Sequence, residues 1–351
     1  MYEIEYYSKY LLDDAISRKV TDLHFIPEED QYVITYRFNG IMEPRGRLPL
    51  KMAERLISHF KYRSGMDIGE RRKPQSASMI YKEQSSLSYS LRLSTLPSRE
   101  KESLAIRILP NFSLQSFSSL SILRNQAKNL ESITSLTHGL CLVSGPTGSG
   151  KTTTLYTIVE SIIKKGGKRV ITIEDPVERN IDNAIQVEVN SKKGVTFDYA
   201  LKATLRHDPD VILVGEIRDE VTAKLAIRAA LTGHLVLATV HANDCYSALV
   251  RMRDLGVSQL DLIQCCRHVL SQRIVTTKCP YCIEECLPVC ARERTMSRAA
   301  VFELLEGNRL KKSLINESKF ENASLVNQAR KAWALGYLHD KEVLRFVTNT
   351  F

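Results

Sequence analysis

Short apolar runs alternate with amphipathic stretches along the middle of this chain. The runs at 140–144, 170–173, 211–214 and 235–239 contain few polar residues, and their lengths are typical of β-strands. Strands without polar alternation fit a parallel sheet that helices cover on both faces. After the first run, apolar residues recur at helical spacing over 155–163, which predicts a helix with one buried face. The pattern therefore predicts an α/β domain with a doubly wound sheet.

The N-terminal part of the chain shows a different pattern. Residues 7–16 have helical spacing, whereas 32–38 and 87–96 alternate between apolar and polar positions. This mixture predicts a smaller α+β domain. A serine-rich stretch over 111–121 has the composition of a linker, so we place the domain boundary at residue 118.

A glycine-rich segment with the spacing GxxxxGK[ST] of a phosphate-binding loop follows the first strand run. Glycines let the backbone wrap around phosphates, and the N–H groups at the start of the next helix attract negative charge. In such loops the lysine neutralises the β- and γ-phosphates, and the hydroxyl residue after it is a Mg²⁺ ligand. A chance glycine-rich turn is the alternative, which the flanking strand and helix disfavour. The predicted nucleotide-binding residues are Gly145, Pro146, Thr147, Gly148, Ser149, Gly150, Lys151 and Thr152.

Acidic residues and a histidine follow the other predicted strands. Because ligands of open α/β sheets lie beyond the carboxyl ends of the strands, these residues should face the nucleotide. Phosphoryl transfer needs carboxylates for the metal ion, a group that orients the attacking water, and cations for the leaving phosphate. The candidates are Glu174, Asp175 and Glu178 after the second run, Glu216 and Arg218 after the third, and His241 after the fourth.

Glu216 is the first candidate for the base or for a metal-linked water, because it follows an apolar strand where P-loop enzymes place their acidic partner. Glu174 and Asp175 compete for this role, so the sequence leaves the general base open. Each acid alone also fits a helix cap or a solvated side chain. His241 alone would fit a hydrogen-bonded core histidine, but its position at a strand end favours a place in the site.

Composition narrows the classes of function. No apolar run reaches the roughly 18 residues of a membrane-spanning helix, and the N-terminus lacks the pattern of an export signal. The net charge of +9 is spread thinly, with 18 basic against 15 acidic residues in 1–118 and 20 against 18 in 119–291. A nucleic-acid groove usually shows a concentrated basic stripe, so this distribution argues against direct nucleic-acid contact. A weak attraction to an anionic membrane surface stays open.

Four of the eight cysteines cluster in the segment CPYCIEECLPVC. Zn²⁺ favours four thiolates in a tetrahedron, and a CxxC turn presents two of them, so a structural zinc site is predicted in spite of the cramped spacing. Thiols without a metal and a redox pair are the alternatives. The predicted ligands are Cys279, Cys282, Cys286 and Cys290.

Several motifs together resemble the ATPases of the type II secretion and type IV pilus assembly superfamily. Residues 173–178 are similar to the family's aspartate box, and 205–219 to its atypical Walker B motif. Residues 232–242 are similar to its histidine box, and the N-terminal segments 21–27 and 91–97 also resemble family segments. The resemblance covers nearly the whole chain.

The resemblance implies a P-loop (RecA-like) ATPase domain with a doubly wound sheet, preceded by a smaller α+β domain. It implies a homohexamer that hydrolyses ATP with Mg²⁺ at subunit interfaces and, through an inner-membrane platform protein, drives pilin-like subunits into a filament. The chain would be cytoplasmic and peripherally associated with the inner face of the cell membrane. The family's arginines correspond to Arg92, Arg107, Arg206 and Arg218, and which of them reach the γ-phosphate stays open.

Compact length, the four-cysteine loop and the expected absence of an extra N-terminal module look most like the competence branch, whose pseudopilus serves DNA uptake in Gram-positive bacteria. The alternatives are a pilus-retraction or general type II secretion ATPase, a DNA-binding uptake component regulated by ATP, and a ring that binds ATP without turnover. The predicted division of the chain is an N-terminal α+β domain at 1–118, a P-loop core at 119–275, a four-cysteine zinc loop at 276–292 and a C-terminal helical region at 293–351.

Overall fold

The computed structural model describes residues 3–38, 41–82, 88–99, 101–110, 116–190, 194–279, 282, 298–316 and 324–348. The chain divides into two compact units, Met1–Phe112 and Ser113–Phe351. The predicted boundary, residue 118, falls inside the first helix of the second unit, α3 (Phe117–Leu120).

The first unit combines an antiparallel sheet with two helices. Its elements are α1 (Glu3–Ser17), β1 (Asp22–Pro27), β2 (Gln31–Phe38), β3 (Ile41–Pro49), α2 (Leu50–Ser64), β4 (Gln75–Lys82), β5 (Ser88–Ser98) and β6 (Lys101–Pro110). The strands lie in the order β3-β2-β1-β6-β5-β4. Every neighbouring pair is antiparallel.

The alternating pattern of the N-terminal strands places one face of this sheet in a core. In β2, Tyr32, Ile34 and Tyr36 are buried, whereas the residues between them are half-buried. Successive side chains of a strand point to opposite faces, so only one set joins the core that the helices α1 and α2 complete. The predicted α+β domain is confirmed.

The second unit contains a larger, mostly parallel sheet. Its elements after α3 are α4 (Arg124–Ser132), a 3₁₀ helix (Ile133–Ser135), β7 (Gly139–Ser144), α5 (Lys151–Lys165), β8 (Val170–Glu174), β9 (Ala184–Glu188), α6 (Phe197–Thr204), β10 (Val211–Val214), α7 (Glu220–Leu231), β11 (Leu235–Val240), α8 (Cys245–Asp254), α9 (Gln259–Cys265), β12 (Cys266–Thr276), β13 (Arg298–Glu306), α10 (Gly307–Asn316), α11 (Leu325–Ala334) and α12 (Asp340–Thr348). In the described ranges the strand order is β13-β12-β7-β11-β10-β8-β9, and only β13 runs antiparallel to its neighbour.

Helices cover both faces of the central strands. In β7, Leu140 and Leu142 join a core with α7, α8 and α9, whereas Cys141 and Val143 join a second core with α5. A strand buried on both faces has no solvent-facing position, which explains the continuous apolar runs of the sequence. The four predicted strands and the doubly wound α/β domain are confirmed.

The C-terminal region differs from the predicted helical segment at 293–351. Residues 298–306 form β13, which pairs with β12 from His268 opposite Glu306 to Thr276 opposite Arg298. The apolar run in this segment fits a helix or a strand equally well, and the free edge of β12 decides between them. Helices α10 to α12 follow it. Among the described helices, none combines the length and the apolar character needed to cross a bilayer.

Candidate functional site

The glycine-rich segment 145–152 joins the end of β7 to the start of α5. Gly145, Gly148 and Gly150 have positive φ angles of 143°, 77° and 86°. At Gly145 a Cβ atom would lie 2.6 Å from the Ser149 Oγ and 2.7 Å from the carbonyl oxygen of Gln272. Glycine is therefore required there by both backbone angle and space, and it allows the tight turn that a phosphate-binding loop needs.

Lys151 is the first residue of α5 and lies over the loop. Its Nζ donates hydrogen bonds to the carbonyl oxygens of Gly145 at 2.8 Å and Pro146 at 3.0 Å. Burial lowers the pKa of Lys151, and the nearby carboxylate of Glu216 opposes that shift. Thr152 follows in the first helical turn, where backbone N–H groups have partial positive charge. The ammonium group and the helix N-terminus together form a site for an anion.

A cavity of about 540 Å³ opens beside this loop. Its other walls are the residues that follow β8, β10 and β11, as expected for the carboxyl edge of a parallel sheet. Its size is within the usual range for ligand pockets. The predicted site residues that the cavity brings together are Thr147, Gly148, Gly150, Lys151, Thr152, Glu174, Asp175, Glu178, Glu216, Arg218 and His241.

Glu216 follows β10 and is held by two basic side chains. Its Oε1 lies 2.9 Å from Nε2 of His241, and its Oε2 lies 2.6 Å from Nη2 of Arg218. The Glu216 side chain is only 15% exposed, whereas those of His241 and Arg218 are 53% and 61% exposed. The hydrogen bond to Glu216 raises the pKa of Arg218. The carboxylate is therefore oriented at the strand end by groups that stabilise its negative charge.

The ends of β10 and β11 are locked together beside this carboxylate. The hydroxyl of Thr239 donates to the carbonyl oxygen of Gly215 at 2.5 Å, and the Ile217 N–H donates to the carbonyl of Thr239 at 2.9 Å. These bonds fix the separation of the two strand ends. They thereby help to hold the His241 imidazole within hydrogen-bond distance of the Glu216 carboxylate.

Glu174 is placed differently from Glu216, although both line the cavity. It is 4% exposed, and its Oε1 accepts hydrogen bonds from the Thr172 hydroxyl at 2.7 Å and the Gln186 side chain at 3.3 Å. Its Oε2 accepts from the Tyr156 hydroxyl. Burial raises the pKa of Glu174. With both oxygens bonded within the fold, this geometry favours a structural link between α5, β8 and β9.

Asp175 and Glu178 lie on the exposed rim of the same cavity. The backbone N–H of Glu178 donates to the Tyr156 hydroxyl at 3.3 Å, which fixes the segment after β8. Asp175 also contributes to the raised pKa of Arg218. Both side chains are accessible, so they add negative charge at the cavity mouth.

The four predicted arginines are distributed over different parts of the molecule. Arg218 lies in the cavity, as described above. Arg206 lies on the exposed turn between α6 and β10, at the amino edge of the sheet, where Asp210 N–H bonds to the carbonyl of Arg169. Because the cavity opens at the carboxyl edge, the structure does not bring Arg206 to the site of its own chain.

Arg92 and Arg107 belong to the first unit and are cross-strand neighbours on β5 and β6. Nε of Arg107 donates to Oδ1 of Asp22 at 2.8 Å. Burial alone would raise the pKa of Asp22, but this hydrogen bond, together with smaller contributions, outweighs burial, so the pKa is lowered. Nε and Nη2 of Arg92 are buried and have no hydrogen-bond partner among the residues that the structure describes. Of the two guanidinium groups, that of Arg107 forms an ion pair with Asp22, whereas that of Arg92 has two nitrogens without a hydrogen-bond partner in the described part of the chain.

Three polar residues of β12 hold two loops beside the cavity and are missed by sequence reasoning. Gln272 bonds to the phosphate loop at Ser149, while Ser271 and Arg273 donate to the carbonyl oxygen of Asn243 at 3.2 and 3.3 Å. The signal that identifies them is the polar triplet inside an otherwise apolar run at 269–275. They tie the segment 241–244, called here the histidine loop, to the same strand as the phosphate loop.

The predicted zinc ligands fall partly outside the described residues. Cys279 and Cys282 are described, whereas Cys286 and Cys290 lie outside that part of the chain. Within the described ranges, no cluster of three or more histidine, cysteine or acidic side chains has the arrangement of a metal site. The four-thiolate site stays a prediction.

Comparison with known proteins places this chain in a family. The sequence profile of the family described as Type II/IV secretion system protein matches residues 2–345. The competence protein ComGA of Halalkalibacterium halodurans is 42% identical over 337 residues, which cover 95% of this chain and 96% of that protein. ComGA of Bacillus subtilis is 41% identical over 352 residues, 99% of both chains. The type IV pilus assembly ATPase PilB of Acinetobacter baylyi is 40% identical over 280 residues, 80% of this chain and 48% of PilB.

Solved structures agree with this assignment. The crystal structure of the pilus retraction motor PilT with bound ADP superposes with a TM-score of 0.72 at 26% identity and covers 96% of both chains. The ATPase DotB of Legionella pneumophila superposes with a TM-score of 0.74 over 98% of this chain; at 18% identity it supports the fold alone. With its phosphate loop, its acidic strand ends and these relatives, the chain is an ATPase and belongs to the family of Type II/IV secretion system proteins.

Proposed function

We propose that this ATPase powers assembly of a pilin-like filament, a pseudopilus, for the uptake of transforming DNA in competence. The observation that supports this most directly is the identity of 41–42% with two ComGA competence proteins along 95–99% of the chain. The pilus assembly ATPase PilB shares a similar identity over only 48% of its own length. The competence proteins therefore match the layout of this chain better.

In this proposal the phosphates of ATP bind to residues 145–152, with Lys151 beside the β- and γ-phosphates. Oxygen ligands suit Mg²⁺, and the cavity offers the hydroxyl of Thr152 and the carboxylate of Glu216, so these residues fit the ion. Thr152 would hold Mg²⁺ directly and Glu216 through water. When bound with ATP, the ion supplies neutralisation of phosphate charge.

Glu216 is the residue that we propose to orient the attacking water and to accept its proton. The water oxygen bonds to the γ-phosphorus while the bond from that phosphorus to the bridging oxygen breaks, which leaves ADP and phosphate. His241 holds the carboxylate at 2.9 Å, and Arg218 adds positive charge beside it. Glu174 has a structural role because both its oxygens are bonded within the fold. Asp175 and Glu178 contribute charge at the cavity mouth.

We infer that the working form is a homohexamer at the inner face of the cell membrane, where it acts on a platform protein. Arg206 lies at the sheet edge opposite its own cavity, and the half-buried Arg92 has two guanidinium nitrogens without a hydrogen-bond partner among the described residues. Both features suit arginines that approach the phosphates of a neighbouring subunit. Arg107 is proposed to support Arg92 from the next strand. A zinc ion held by Cys279, Cys282, Cys286 and Cys290 completes the proposal.

Pilus retraction is the second candidate, because the PilT retraction motor superposes along nearly the whole chain. The two functions predict opposite filament phenotypes. Deletion of the gene should abolish the filament if the chain drives assembly, whereas filaments should accumulate if it drives retraction. A DNA-binding component regulated by ATP predicts normal filaments without DNA uptake.

The test is complementation of the deletion strain with the wild-type gene, Lys151→Ala or Lys164→Ala. Lys164 is exposed at the far end of α5 and is the matched control. We expect wild type and Lys164→Ala to restore both filaments and transformation, and Lys151→Ala to restore neither, while general protein export continues in every strain. Filaments in the deletion strain, or transformation with Lys151→Ala, would contradict the proposal.

A further inference from the structure

A buried carboxylate outside the cavity joins two helices of the second unit. Glu303 lies on β13 opposite Ser271 of β12 and is 6% exposed. Its Oε1 accepts the N–H of Cys245 at 3.1 Å, and its Oε2 accepts the N–H of Leu325 at 3.3 Å. These are the first residues of α8 and α11, whose N–H groups have no partner within their own helices. One carboxylate therefore caps two helices at once.

The first of these helices begins directly after the histidine loop, residues 241–244. The middle of this loop is held by Ser271 and Arg273, which donate to the carbonyl of Asn243. Its far end is held where Glu303 accepts the N–H of Cys245. Its near end is His241, whose Nε2 lies 2.9 Å from Glu216. The placement of His241 in the site thus depends on the anchor at the other end of the loop.

The surroundings of Glu303 make its charge sensitive to pH. Asp244 and the Cys245 thiol face it from the start of α8, Arg273 lies near it on β12, and α11 presents the Leu325 N–H. Burial, with a contribution from Asp244, raises the pKa of Glu303 to about 7, although the two N–H groups oppose the shift. The ionised carboxylate has an acceptor for each helix, whereas the protonated acid turns one of its oxygens into a donor.

We propose that Glu303 is a positioning residue for ATP hydrolysis, which holds α8 and α11 together and thereby keeps His241 against Glu216. The C-terminal helices are linked to the nucleotide site through this carboxylate. The inference rests on the ATPase activity and on the proposed role of Glu216, and not on the filament that the motor assembles. It is therefore tested by measuring ATP turnover of the purified full chain. That measurement gives the same result whether or not the motor assembles a filament.

The first test is Glu303→Gln, which keeps the shape of the side chain but replaces one carboxylate oxygen with an NH2 group that only donates. We expect kcat at pH 8 to fall about five- to tenfold while KM for ATP changes less than about twofold; this fall in kcat corresponds to an activation barrier that is higher by roughly 1–1.4 kcal/mol. The wild-type kcat should show an inflection between about pH 6 and 8 that the variant lacks. Glu306→Gln is the matched control, since Glu306 is on the same strand and contacts His268 instead. A variant with the wild-type kcat, or with the wild-type inflection, overturns the proposal.

The second test removes each N–H donor alone. Proline is tolerated at the first position of a helix and lacks the N–H, and the preceding residues Asp244 and Ser324 have the extended angles that suit a residue before proline. Cys245→Pro is compared with Cys245→Ala, and Leu325→Pro with Leu325→Ala, because each pair loses the same side chain but differs in the donor. We expect the proline variant of each pair to have a severalfold lower kcat, with thermal unfolding followed separately. Equal kcat values within both pairs refute the positioning role.

Discussion

The side-chain amide of Gln272 donates a hydrogen bond of 2.6 Å to the carbonyl oxygen of Ser149 in the phosphate loop. Both residues are almost fully buried, so water does not compete for this bond. The carbonyl oxygen of Gln272 also lies only 2.7 Å from the position that a Cβ atom on residue 145 would take. The shape of the phosphate loop therefore depends on a strand outside the motif.

Gln272→Ala should weaken nucleotide binding, because it leaves the buried carbonyl of Ser149 without a donor. An unsatisfied buried group costs about 1–3 kcal/mol, so part of that cost should appear as an increase of about fivefold or more in the Kd for ATP. Calorimetric titration with ATP measures it. Gln264→Ala, which changes an exposed glutamine on α9, is the control. Equal affinities of the two variants would show that the bond does not shape the loop.

Glu216→Gln should lower the rate of phosphate release by about tenfold or more, equivalent to about 1.4 kcal/mol of barrier. The amide keeps the shape of the side chain but cannot accept a proton from water, so binding of ATP should persist.

Glu174→Gln should reduce thermal stability more than it reduces the rate of ATP turnover, because both oxygens of Glu174 are bonded within the fold, among others to Tyr156 and Thr172. Single-turnover measurements separate ATP binding from the chemical step in Glu216→Gln, and thermal unfolding measures the stability of Glu174→Gln. An unchanged rate of phosphate release in Glu216→Gln would show that this residue does not take part in the proposed chemistry.

Lys151→Ala should abolish measurable nucleotide binding, because it removes the cation that lies over the loop carbonyls. The expected result is loss of binding of a fluorescent ATP analogue together with loss of ATP turnover. Lys164→Ala removes an exposed lysine from the same helix and should bind like wild type. Retained turnover in Lys151→Ala would contradict the assignment of the loop.

The stability of the protein should depend on the charge of Glu303. Its pKa of about 7 lies above the ordinary value of 4.5, so the folded chain binds more protons than the unfolded chain between these pH values. Stability from this group is therefore greatest below about pH 4.5 and declines as pH rises to 7, by on the order of 3 kcal/mol. Glu303→Gln has no such titration.

The unfolding temperature of Glu303→Gln relative to wild type should consequently rise between pH 5 and pH 8. Thermal unfolding in matched buffers at several pH values measures this difference. Glu306→Gln is again the control, since Glu306 is partly exposed. A difference that stays constant over this range would mean that Glu303 does not titrate there.

The four-cysteine loop should hold about one zinc ion per chain if the proposed site forms. Metal analysis of purified protein measures it, and the double change Cys286→Ser with Cys290→Ser should remove the metal. Cys141→Ala, which changes a buried cysteine of β7, should leave the zinc content as in wild type. Less than about one zinc per two wild-type chains would argue against the site.

The sequence by itself determines the phosphate loop, the central strands and the polar rim at their ends. These features are local: the loop depends on glycines within eight residues, and a strand buried on both faces is visible as an uninterrupted apolar run. The carboxyl ends of parallel strands share one edge, so Glu216 and His241 are predicted to meet without knowledge of any contact.

Only the tertiary structure decided which of these residues are available for chemistry. Gln272 and Ser149 are 123 positions apart, and Glu303 reaches Cys245 and Leu325 over 58 and 22 positions. Long-range packing also explains why Glu174 is hydrogen-bonded within the fold and why Arg206 lies at the sheet edge opposite the cavity. It further explains why residues 298–306 form a strand. Such contacts follow from the order of strands in the sheet, which local periodicity does not encode because distant segments compete for each edge.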